Sequence, residues 1–235
     1  MTDQPNGTPQ RAGAGAIITG YTRLLAGHAP RLIMLFVAGW FLVTLLLVVQ
    51  LRVLGYRPTD LQSFFQMDLI AVALITAAVA QATLWGSPGD PLRICLSVAQ
   101  RAFVPVFAIT LLARFLIVIG FVVLVLPGIA MMILFGLSAV IMIAERPNML
   151  SAMRESVLRV WRNFGAVLVS YLVFLLSLLV FSFAAAFVGA IVSAFLPGSV
   201  DNLVVGGAMM AMLSVVHTVF AVAVYQAIAT AEYAA

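Results

Sequence analysis

Lysine is absent from this chain of 235 residues: all twelve basic residues are arginine. With lysine goes every chemistry that needs an ε-amine, from Schiff-base formation to the phosphate-gripping lysine of a P-loop. Cysteine occurs once, at Cys95, so no internal disulfide can form, and a lone thiol among apolar neighbours reads as a small filler. The two histidines, His28 and His217, lie on separate segments without acidic residues nearby in sequence, so no metal site is expected. No His-Glu-x-x-His, Gly-x-Ser-x-Gly or Gly-x-Gly-x-x-Gly pattern occurs, and Gly13-Ala14-Gly15-Ala16 lacks the preceding strand that a nucleotide-binding turn requires. Charge is scarce as well. At 9% charged, 64% hydrophobic and a mean hydropathy of +1.18, the chain lies far from the soluble norm of about half apolar and about a quarter charged.

What is present is a series of long apolar runs. Residues 1–13 are polar and rich in Gly, Pro and Gln, and are expected to form a disordered cytoplasmic tail rather than a signal peptide. The first run extends from Leu32 to Leu51, between Arg31 and Arg52. A second is expected over about 63–85, and a third and fourth share the stretch between Arg101 and Glu145, folded back at a turn formed by Pro127 and Gly128. A fifth starts near Gly165, and a sixth covers about 202–231. A helix needs about 20 residues to cross a bilayer. The pattern therefore predicts an all-α polytopic membrane protein with six transmembrane helices, residues 14–235 forming a single integral domain. From Asn163 to Val200 the fifth stretch is too long for an untilted span, and a break near 194–198 is expected.

Arginine placement gives the orientation. With six spans, Arg11, Arg23, Arg31, Arg93, Arg101, Arg146, Arg154, Arg159 and Arg162 fall on one side, against Arg52 and Arg57 on the other. Basic loops stay in the cytoplasm, so both termini are expected there, in a bacterial inner membrane. The net charge of +4 reflects this asymmetry. Because the charges flank apolar spans, nucleic acid is excluded as a partner and anionic lipid headgroups are the expected counter-ions, at Arg93, Arg101, Arg154, Arg159 and Arg162.

Three cytoplasmic segments read as amphipathic interfacial helices. Ile17, Ile18, Tyr21, Leu24 and Leu25 share a face in the first; Leu92, Leu96, Ala99 and Phe103 oppose Arg93, Ser97, Gln100 and Arg101 in the second. In the third, Met149, Leu150, Met153, Val157, Val160 and Trp161 form the apolar stripe, and Glu155 stands four residues before Arg159. Each precedes a Pro or Gly hinge and a span, which suggests repeats over 14–85, 89–145 and 147–231 around an axis normal to the membrane.

Pro127-Gly128, an aliphatic span closing at Glu145, then Ala152-Met153-Arg154-Glu155-Ser156-Val157-Leu158 and Trp161-Arg162-Asn163-Phe164 resemble the membrane-domain family named after bacterial glycerophosphoryl diester phosphodiesterases. The specific part covers about residues 88–165, with Glu155 and Val157 departing from the usual pattern. In that family the phosphodiester chemistry resides in a separate soluble domain, for which this chain has no room. The resemblance therefore implies a multi-pass membrane domain and no enzymatic activity.

Polar groups inside the apolar spans carry the remaining information. Arg114 is the most costly, since a charge near the bilayer centre costs about 3 kcal/mol on insertion scales. It should face protein or water, with Asp68, His217 or Tyr225 as partners, or snorkel to the inner headgroups. On the fifth helix Ala185, Gly189 and Ser193 make a small-residue ridge suited to close helix packing. The expected function is a non-catalytic accessory, scaffold or assembly protein, without cofactor, binding other membrane proteins and anionic lipids. The alternative is a transporter or lipid-handling protein with Arg114, Asp68 and His217 around an intramembrane cavity. A continuous wet cavity reaching Arg114 would favour the second, and a dry interior packed with small residues the first.

Overall fold

The structure, a computed structural model, describes residues 11–53, 68–85, 92–193 and 201–233, and every regular element among the described residues is helical. In chain order these are α1 (Ala14–Val53), α2 (Asp68–Leu84), α3 (Leu92–Val123), α4 (Val125–Phe135), α5 (Ser138–Glu145), α6 (Met149–Arg162), α7 (Phe164–Ser193) and α8 (Asp201–Tyr233). Long and apolar enough to cross a bilayer are α1, α3, the α4–α5 pair and α8, with a fifth crossing if α6 and α7 form one span bent by 95°. Among the described residues four to five helices can thus cross a membrane, as in a multi-pass membrane protein, where six were expected over the whole chain. The apolar stretch of α2 from Ile70 to Leu84 is shorter, and residues 63–67 of the expected second span lie outside the described residues, as does the expected break at 194–198.

The joints ahead of the spans differ from expectation. No break in the helix forms at Pro30 or Pro105: α1 and α3 continue through them. A proline inside a membrane helix removes one backbone donor but is tolerated where neighbouring helices support the segment. The 40 residues of α1 reach about 60 Å, twice the apolar core of about 30 Å. Its first half is packed against the bundle: Ile17 and Leu24 are buried, and the Tyr21 ring meets Phe220 of α8 edge-on at 5.7 Å. Only the third amphipathic segment, α6, is a separate helix. The Asn148 side chain starts it by accepting the Ser151 N–H at 2.8 Å, after Arg146 leaves α5 in the left-handed region at φ 54°.

The expected turn at Pro127-Gly128 lies three residues earlier. Leu124 alone is extended, and Pro127 sits in the first turn of α4, where its missing N–H has no intrahelical partner to lose. The two arms touch through glycine. A Cβ on Gly120 would stand 2.9 Å from the Gly128 Cα, and one on Gly128 would overlap the Phe121 ring. The same device joins α1 to its neighbours, since a Cβ on Gly39 would come within 2.8 Å of Ile75 and one on Gly207 would strike Thr44.

At the centre α2 is buried on almost every side through Ala71, Ala73, Ile75, Ala77, Val79 and Ala80. It packs against α1, α3, α5 and α8. Beside it Phe174 of α7 stacks on Phe220 at 4.5 Å, and Tyr171 meets Phe220 edge-on at 4.9 Å. The perimeter is apolar too: Ile33, Val37 and Phe41 on α1, Phe115 and Val122 on α3, and Leu172, Leu176 and Leu179 on α7 are exposed. A water-soluble monomer does not carry such surface, whereas lipid covers it without cost.

Candidate functional site: a cavity among α2, α3, α4–α5, α7 and α8

α3 divides its residues between two faces. Leu111, Phe115, Val118 and Val122 point outward at helical spacing, while Ile109, Ala113, Arg114 and Ile117 line a partly open cavity of about 510 Å³, with the exposed Leu175 and Leu213 also in its wall. The cavity is walled mainly by apolar side chains, among them Met132, Phe174, Leu178 and Leu213. Into this wall are set Arg114, His217, Tyr171, Ser138, Thr76, Thr110 and Ser214. Its size lies in the range of about 300–1,000 Å³ usual for ligand sites, and a few polar groups in an apolar wall are what such sites use to orient a ligand.

Local structure explains how each polar group arrives. The helical ladder breaks between α4 and α5: the Gly136 N–H turns back to the Ile133 carbonyl at 3.3 Å, and the Leu134 carbonyl accepts the Ser156 hydroxyl of α6 at 2.6 Å. Gly136 is required because the Tyr171 hydroxyl occupies the space where a Cβ would stand. Tyr171 Oη in turn lies 3.4 Å from His217 Nε2, linking α7 to α8 at the wall. Directly after the break comes Ser138, 1% exposed, whose hydroxyl has no hydrogen-bond partner among the described residues and which lines the cavity. Ser214 is committed to its own helix, donating to the Met210 carbonyl at 2.8 Å.

Of the residues singled out in sequence, Arg114 and His217 are brought to one cavity. The side chain of Asp68 lies outside the described residues, as do those of Arg93, Ala185, Gly189 and Ser193. Tyr225 belongs elsewhere: its hydroxyl donates to Glu145 at 3.1 Å, and its ring lies under the Arg159 guanidinium at 5.7 Å. Arg159 is turned inward. Its side chain is 13% exposed and reaches Glu145 at 2.6 Å, Glu155 at 3.0 Å and Glu232 at 3.8 Å, so α5, α6 and α8 share one cation. The i,i+4 pair with Glu155 was legible in the spacing; the other two carboxylates were not. Burial works against the Arg159 charge, but the hydrogen bond to Glu145 and the three carboxylates outweigh it and hold its pKa above the ordinary value. Arg101, Arg154 and Arg162 are exposed at the bundle surface.

Sequence reading missed Tyr171, Ser138, Gly136 and Ser156. A glycine followed by Leu137 and Ser138 inside an apolar run was the available signal for a broken helix. Among the described residues no group of three or more His, Cys, Asp or Glu side chains is arranged to hold a metal ion. No protein-family model, curated protein or solved structure matches the chain.

Proposed function

We propose that this chain is a multi-pass membrane protein that binds an amphiphilic molecule, a lipid or lipid-like compound, in the cavity around Arg114 and His217. The observation that carries this reading is the cavity itself: about 510 Å³, apolar on most of its wall, with a cation and several hydroxyl and imidazole groups set into it. An alkyl chain fits the first feature and a polar or acidic headgroup the second. A guanidinium offers five N–H donors, so Arg114 can serve a headgroup alongside a protein neighbour. The role is lipid handling without a reaction of its own. In this reading the chain has six spans in a bacterial inner membrane, with both termini cytoplasmic as the arginine distribution supports, and it belongs with the membrane-domain family suggested by residues 88–165.

A second reading, an accessory or scaffold protein for other membrane proteins, draws support from the exposed apolar tip of the α3–α4 hairpin, Val122 to Leu126. The two part in one experiment. Extraction of the full chain with its surrounding membrane, followed by native mass spectrometry, should show one amphiphile retained per protein, and Ala113→Phe, which fills the cavity from α3, should remove it. Retention of a stoichiometric protein partner, with Ala113→Phe changing nothing in the lipid content, would overturn the lipid-handling reading in favour of the scaffold.

A further inference from the structure

A second pocket, sharing no lining residue with the cavity, forms where α6 bends by 95° into α7. Here the segment ahead of α1 is tied down: the Ala12 N–H donates to Asn163 Oδ1 at 3.0 Å, across 151 residues of chain. Asn163 is itself fixed, 8% exposed, with its side-chain amide donating to the Arg159 carbonyl at 3.0 Å. The tie brings Arg11 to the corner that carries Arg162. Together with Trp161, Phe164 and Gly165 they line a pocket of about 450 Å³, and among the described residues no acidic one is in its lining.

Three features identify what it takes. Two guanidinium groups without a lining carboxylate select an anion, and their planar forks match phosphate oxygens. Amphipathic α6 gives way at this corner to the uniformly apolar α7, which sets the pocket at the level of the headgroups, and Trp161, 69% exposed, is the residue type that anchors there. Gly165 leaves the floor open, since a Cβ at that position would meet nothing within 4 Å. We infer that this corner is a binding site for the phosphate headgroup of an anionic phospholipid, held by Arg11 and Arg162 beside the Trp161 ring.

The test uses the full chain in lipid nanodiscs of equal phosphatidylglycerol and phosphatidylcholine, with the lipids retained after mild delipidation counted by native mass spectrometry. Wild type should retain phosphatidylglycerol preferentially. Each of Arg11→Gln and Arg162→Gln should lower that preference about fivefold, the effect of one basic residue at an anionic surface, and Gly165→Glu should abolish it by placing an acid in the open floor. Circular dichroism on each variant verifies that the helices are kept. An unchanged preference in the double arginine variant and in Gly165→Glu overturns the site. Displacement of phosphatidylglycerol by millimolar inorganic phosphate overturns the lipid assignment in favour of a free phosphate site. The cavity ligand is a separate readout: Ala113→Phe should leave this preference intact, and Gly165→Glu should leave the cavity ligand in place.

Discussion

The Tyr171 hydroxyl lies 3.4 Å from His217 Nε2 and fills the space that a side chain at Gly136 would need. One phenol thus links α7 to α8 and stands against the break between α4 and α5, at the wall of the cavity. The arrangement makes Gly136 and Tyr171 a coupled pair.

Gly136→Ala should destabilise the protein by about 2 kcal/mol, because its methyl overlaps a phenol locked among Phe174 and Phe220. In a Tyr171→Phe background the same change should cost about 1 kcal/mol less, since the clashing oxygen is gone. Thermal unfolding in detergent for the four members of the cycle measures this, and strict additivity would show that the two positions do not meet.

At the hairpin tip the two glycines differ in what they face. Gly120→Ala drives a methyl into the backbone of Gly128, which cannot move aside, whereas the nearest atoms that Gly128→Ala meets all belong to the half-exposed Phe121 ring. Gly120→Ala should therefore be the more destabilising, by about 1 kcal/mol or more, and Phe121→Ala should rescue Gly128→Ala but not Gly120→Ala. Ranking the four variants by melting temperature checks the order.

Arg159 holds three carboxylates from three helices. Arg159→Gln leaves Glu145, Glu155 and Glu232 facing one another, and should cost about 2 kcal/mol, a fall in melting temperature of about 4–8 °C at this chain length. Because the folded pKa of Arg159 is raised, its contribution is fully present below the ordinary arginine value and fades only as pH climbs through the folded one. The wild-type difference from Arg159→Gln should accordingly stay level between about pH 7 and about pH 9. A difference that shrinks across that window would mean that the cluster is not held by this cation.

Several levels of this fold were readable from the chain alone. Long apolar runs dictate helices because a bilayer leaves the backbone no other partners, and the spacing of Glu155 and Arg159 announces α6. Helices α1 and α3 continue past Pro30 and Pro105, where separate segments were expected, because a proline that would end a helix in water is tolerated where neighbouring helices pack around it. The site was half legible. Arg114 and His217 stand out as polar residues in apolar sequence, but Tyr171 and Ser156 acquire their roles only through contacts 20 or more residues away in sequence, Ser156 on the Leu134 carbonyl and Tyr171 beside His217. The corner formed by Arg11 and Arg162 depends on one hydrogen bond spanning 151 residues, for which no local pattern exists.

The most direct measurement is photo-crosslinking of the full chain in bilayers containing a lipid with a diazirine in its acyl chain, followed by peptide mapping. Since α3 presents Ile109, Ala113 and Ile117 to the cavity and Leu111, Phe115 and Val122 to the outside, a single helix carries both the test and its control. If an amphiphile occupies the cavity, adducts form at Ile109, Ala113 or Ile117 as well as at the outward positions, and Ala113→Phe removes the inner set alone. Adducts confined to Leu111, Phe115 and Val122, unchanged by Ala113→Phe, would contradict it.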